Sequence, residues 1–106
     1  MERQAEPALC PEMLLIAGHT RLYRLLISVL QEQHLHPYDV KAGMVRAPEG
    51  ATVTLRFGEN LARMADRFFS WEEIEAESPR ITEFFRISGE AIQKSLIDDY
   101  FKRMKP

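Results

Sequence analysis

The stretch VKAGMVRAPEGATVTLRF, Val40 to Phe57, restricts the fold more than any other. Two β-rich runs, Val40–Arg46 and Ala51–Phe57, flank the turn-forming Pro48, Glu49 and Gly50. The second run alternates Val53, Leu55 and Phe57 against Thr52, Thr54 and Arg56, as a strand does when one face is buried and the other is wet. This predicts a β-hairpin with Arg56 and the threonines on its outer face. Gly58, Glu59 and Asn60 then read as a second turn that delivers LARMADRFF, residues 61–69, as a third strand. Leu61, Met64, Ala65 and Phe68 also have helical spacing, but a hairpin alone is marginal and a third strand gives flanking helices a broader sheet to cover.

Helical periods lie on both sides. From Met13 to Gln33 apolar residues recur at steps of three and four, with an interruption at Gly18, His19 and Thr20. The segment is either one kinked helix or a short turn followed by a helix from Arg21 to His34 with Thr20 as its N-cap, and Pro37 limits continuation. Residues 1–11, with Pro7 and Pro11 and no sustained period, read as a flexible N-terminal arm ahead of one domain over 12–106.

Near the other end, Ser78 and Pro79 have the grammar of an N-cap and a first helical residue. Ile81, Phe84, Phe85, Ser88, Ile92, Leu96 and Tyr100 then keep helical phase to a basic end at Lys102, Arg103 and Lys105. Unbroken to Met104, such a helix measures about 39 Å at 1.5 Å per residue, long for a domain whose radius of gyration should be about 13 Å. Either Gly89 kinks it or its end projects, and in the second case Tyr100, Phe101 and Met104 are the expected partner or dimer contact.

The glutamates of RFFSWEEIEAESPR suggest an acidic site, but the spacing fits a helix start. Ser70 followed by Glu73 is a capping box, with Phe69 placed to pack on Ile74. Glu72, Glu73 and Glu75 then fall in the first turns, where the helix dipole favours carboxylates. Carboxylate-bridged metal sites use Glu-x-x-His units, and the sequence has none.

Together these readings give an α+β fold: a long N-terminal helix, a two- or three-stranded antiparallel β-meander, a short capped helix, and a long C-terminal helix packed on one face of the sheet.

Function is far less constrained. The 106 residues suit a single domain, and 14 basic against 16 acidic residues leave a net charge of −2, so no global field draws the chain to nucleic acid or to a membrane. The longest apolar tract, Met13–Ala17, falls far short of a span of about 20 residues. Cys10 is the only cysteine and the N-terminal residues lack a signal-peptide pattern, so a cytoplasmic setting is expected. His34 and His36, with His19 and Cys10, are too few to specify a metal, and phosphate-cradling and nucleophile-elbow motifs are missing. No cofactor, no metal and no catalytic residue are therefore expected.

Two binding readings remain, beside an enzyme whose site is assembled from scattered residues and would be marked by a pocket converging on His34, His36 or the arginines. Lys41, Arg56, Arg63 and Arg67, if they share the outer sheet face, would make a surface for nucleic acid or another anionic ligand. The order helix, three strands, helix also matches the topology of the double-stranded-RNA-binding domain. That domain meets phosphates at the start of its second helix, where this sequence places Glu72, Glu73, Glu75 and Glu77. Nucleic acid is thus not favoured. The leading expectation is a small non-enzymatic protein of adaptor or regulatory type, acting through a protein partner or as a homodimer.

Overall fold

A computed structural model describes residues 12–104, so the expected arm at 1–11 lies outside it. The chain runs β1 (Met13–Leu14), α1 (Leu15–Gly18), α2 (Thr20–Glu32), β2 (Val40–Ala47), β3 (Gly50–Phe57), β4 (Arg63–Ser70), α3 (Trp71–Ala76) and α4 (Pro79–Met104). The strands form one antiparallel sheet in the order β1-β2-β3-β4, with the long helices on one face.

The β2–β3 hairpin follows its alternation. Ala47 pairs with Gly50 across a two-residue turn, and Ala51, Val53, Leu55 and Phe57 point into the core. Residues 63–70 form the third strand of the meander, as the second turn predicts, and they pair along the whole of β3. Gly58 makes that turn with φ of +84°, a conformation natural to glycine.

The N-terminal region differs from the expected single helix. Met13 and Leu14 are extended and pair with Met44 and Gly43, so the sheet gains a fourth, two-residue strand. The helix then breaks after Gly18. His19 is extended and its Nδ1 accepts the backbone N–H of Leu22 at 3.2 Å, so His19 and not Thr20 is the N-cap of α2. Gly18 fits there because a Cβ would come within 2.7 Å of the Met13 sulfur.

His34 ends α2. It adopts a left-handed φ of 61°, while Leu35 N–H donates to Leu30 O at 2.8 Å and His34 N–H to Gln31 O at 3.0 Å, the two bonds of a Schellman stop. His36 caps the next turn through Nδ1, which accepts from Tyr38 N–H at 3.2 Å. Both histidines therefore have local structural roles.

α4 continues unbroken through Gly89. This glycine answers close approach and does not mark a kink: a Cβ there would sit 2.7 Å from Cδ of Gln33, whose side-chain amide donates to Arg86 O at 3.0 Å. Gln93 returns a bond to Gln33 O at 2.6 Å, fastening the end of α2 to the middle of α4. Between helices and sheet lie Leu22, Leu26, Val29 and Leu30 of α2, Ile81, Phe84, Phe85 and Ile92 of α4, and the inward residues of the strands.

The capping box forms as its spacing predicts. Ser70 Oγ accepts from Glu73 N–H at 3.2 Å, and a Glu73 carboxylate oxygen accepts from Ser70 N–H at 3.0 Å. Its neighbour Trp71 donates from its indole to Ala47 O at 3.0 Å and lies under the Arg46 guanidinium at 4.9 Å, which docks α3 on the end of the hairpin.

The Ser70 N–H, and then Arg80, hold Glu73 below the ordinary carboxylate value of 4.5. A group depressed in the folded state contributes stability that is present above about pH 4.5 and is lost as pH falls through its lowered value. Glu73→Gln keeps an acceptor for the Ser70 N–H but removes the titration. Urea unfolding at a series of pH values should show a flatter acid limb for this variant, and an unchanged limb would show that Glu73 is not a source of the acid sensitivity.

Candidate functional site

The acidic stretch that first suggests chemistry is distributed among structural contacts. Glu73 serves the cap and pairs with Arg80, Glu77 accepts from Arg21 Nε at 3.0 Å, and Glu75 offers its backbone carbonyl to the same arginine at 3.0 Å. Among the described residues no three His, Cys, Asp or Glu side chains group closely enough to hold a metal ion, and Cys10 lies outside those residues. No helix of the described residues is long and apolar enough to cross a membrane.

The register separates the four basic residues into two pairs. Lys41 and Arg56 face each other across β2 and β3 on the outer face. Arg63 pairs with Phe57 and Arg67 with Val53, residues buried on the helix-covered face, so both β4 arginines rise on that side. Arg67 then lies with its guanidinium 5.5 Å from the Phe84 ring centre. A single surface made of all four is ruled out by this pairing.

Around Lys41 and Arg56 the structure adds a residue that sequence reasoning missed. Glu12, just ahead of β1, pairs with Arg56. The hydrogen bond from Arg56, assisted by the charges of Arg56 and Lys41, keeps the Glu12 carboxyl below 4.5 against a smaller opposing effect of burial. The same bond raises Arg56. Forty-four positions separate the two residues, and only the pairing of β1 with β2 brings them together, so no local pattern announces the contact.

The second surface is the end of α4. Leu96, Ile97, Tyr100 and Phe101 are 40, 55, 59 and 61% exposed and form two pairs four residues apart, Leu96 with Tyr100 and Ile97 with Phe101, on neighbouring rows of the helix. Tyr100 and Phe101 stack edge to face with ring centres 5.6 Å apart. The Met104 side chain is outside the described part of the structure. Leu96 reads from sequence as core, and Ile97 is out of phase with the core stripe. Leu96 and Tyr100 continue the core stripe, and the signal that marks the patch is Ile97 and Phe101, one residue out of phase, which widen the apolar face beyond what one buried side needs.

The other side of these turns lies against the chain's own Gly58–Leu61 turn, with Lys102 3.9 Å from Glu59 and with Asp99 and Lys102 lining one depression with Asn60 and Arg63. The radius of gyration is 15.3 Å and the long dimension 52 Å, against about 13 Å for a compact chain of this length. Among the described side chains of α4 the last buried one is Ser95, five residues before Tyr100. A second apolar depression lies along α1 and α2, lined by Ile16, Tyr23 and Ile27 together with Thr20, Arg24, Ser28 and Gln31. Compared with family models, with curated proteins and with solved structures, the chain has no match in any of the three.

Proposed function

We propose that the protein acts through protein association, as an adaptor or regulatory component without a catalytic step, and that the last turns of α4 are the contact. The observation that carries this reading is the contiguous exposed stripe Leu96, Ile97, Tyr100 and Phe101 on the last turns of α4. Aromatic residues on a rigid helix make strong anchors, because they bury large area at little cost in conformational freedom.

The first partner is a second copy. An apolar stripe is self-complementary under a twofold axis. Its border carries both signs, with Lys94 and Asp98 3.6 Å apart on the same helix. An antiparallel twofold near Leu96 sets Lys94 of each copy beside Asp98 of the other, so pairing satisfies the border charges.

Analytical ultracentrifugation tests this. The unmodified chain is expected to dimerise with a concentration-dependent equilibrium. Phe101→Glu should weaken it by about thirtyfold, the effect of losing a hot-spot aromatic worth ~2 kcal/mol. Because Phe101 is exposed, the variant's thermal midpoint at low concentration should match the parent's. A chain that stays monomeric at millimolar concentration would end the homodimer reading.

A further inference from the structure

The outer face of the sheet contains a small charged site with an unusual construction. Lys41 and Arg56 stand directly opposite each other in the β2–β3 register, where like charges repel. An anion between them relieves that repulsion, and Glu12 supplies one by pairing with Arg56. Gly43 leaves room for it there: a Cβ at that position would lie 2.9 Å from the Glu12 carboxyl carbon, and the Glu12 side chain would have to shift. The carboxylate lies flat on the strand in the space a side chain would fill.

The surroundings are those of a ligand site. Lys41, Arg56 and Glu12 share a depression of about 470 Å³ with Met13, Leu14 and Leu61, so charged groups meet apolar walls. Glu12 is also weakly tethered, since the strand behind it pairs through two residues only. Its ion pair is open to water, with about a third of each side chain exposed, and such pairs contribute little to holding a chain in place.

We propose that Lys41 and Arg56 form a binding site for a small organic dicarboxylate, and that Glu12 is its internal occupant, displaced when the ligand binds. Once Glu12 is displaced, Lys41 and Arg56 present two positive charges on one spot, and a ligand with two carboxylates neutralises both. One carboxylate takes the place of Glu12 on the Arg56 guanidinium, whose planar fork suits that group. The other meets the Lys41 ammonium, and the carbon chain between them lies against Leu14 and Leu61. Nucleic acid fits less well: a phosphate backbone needs several cations along one face, and here Arg63 and Arg67 are on the other face while Asp66 is on this one. The site is separate from the end of α4 and does not depend on how that end is used.

The test is an NMR titration of the isotope-labelled full chain with succinate, run beside acetate and sodium chloride at equal ionic strength. Saturable shifts at Lys41, Gly43 and the Arg56 side chain are expected with succinate, with acetate weaker. Glu12→Gln should tighten succinate by about tenfold, as expected if the internal carboxylate occupies the site about nine-tenths of the time. Arg56→Gln should abolish binding. Lys41→Gln, which leaves the Glu12–Arg56 pair in place, should weaken succinate while leaving acetate unchanged. Equal shifts with chloride would reduce the effect to ionic screening and overturn the proposal. So would a folded Glu12→Gln protein with unchanged affinity, or a Lys41→Gln protein that binds succinate as the parent does.

Discussion

Phe69→Ala is expected to destabilise the protein by about 3–5 kcal/mol, the range for removing a fully buried aromatic side chain. Phe69 joins three parts of the structure. It faces Ala51 across β3 and β4, it precedes the capping box of α3, and its ring meets Phe84 of α4 edge to face at 5.8 Å. Arg80 adds a guanidinium 5.5 Å from the same ring. No single neighbour can move to fill the space without leaving another contact. Against a total stability of about 5–15 kcal/mol for a domain of this kind, the urea midpoint should fall by about a fifth or more with little change in slope. Phe68→Ala is the matched control. That side chain lies on the outer face, 45% exposed, and its loss should cost less than about 1 kcal/mol. Equal effects from the two substitutions would mean that the β3–β4 register is wrong by one residue.

Gly50→Ala is expected to cost about 3 kcal/mol, the upper part of the range for inserting atoms into packed structure. Gly50 starts β3 opposite Ser70. A Cβ there would meet the Phe69 carbonyl oxygen and come within 2.7 Å of the Ser70 Cα. Those neighbours are backbone, which cannot rotate aside as the Gln33 amide beside Gly89 can. The added methyl must push β4 away from β3 where the Ser70 cap begins. At about 5 °C per kcal/mol for a domain of this length, the thermal midpoint should drop by about 15 °C. Gly89→Ala should shift the midpoint by less than Gly50→Ala, because the Gln33 amide yields where backbone cannot and alanine favours the helix by about 1 kcal/mol.

The parts of the fold that sequence predicts are those fixed by near neighbours. Pro48, Glu49 and Gly50 between alternating runs predict the hairpin, and Ser70 with Glu73 predicts the start of α3 within a residue. Ser78 and Pro79 likewise mark the start of α4, where Ser78 Oγ accepts from Arg80 N–H at 3.2 Å. Features set by distant pairing are not legible in this way. Met13 and Leu14 belong to an apolar run that suits a helix or a strand equally, and they are extended because the edge of β2 is there to receive them. The face on which Arg63 and Arg67 emerge depends on how many residues the Gly58–Leu61 turn consumes, and a count different by one would exchange the two faces of β4. The Glu12–Arg56 contact depends on the first of these, the pairing of β1 with β2. At the end of α4 the apolar residues are visible in the sequence, but whether they close a core or pass beyond it depends on where the sheet stops.

Trp71 gives the molecule a built-in optical probe. It is the only tryptophan, and its indole is bonded to Ala47 and covered by Arg46 at the far end of the β2–β3 hairpin. Its emission therefore reports one event, the arrival of α3 at the hairpin turn. The far-ultraviolet dichroism is dominated by another part of the chain, the 13 residues of α2 and 26 of α4. Recorded together during refolding, the two signals time sheet closure and helix formation separately. If they rise with one rate constant, the meander and the helices assemble as a single cooperative unit. If the dichroism leads, the helices form before the hairpin that they cover.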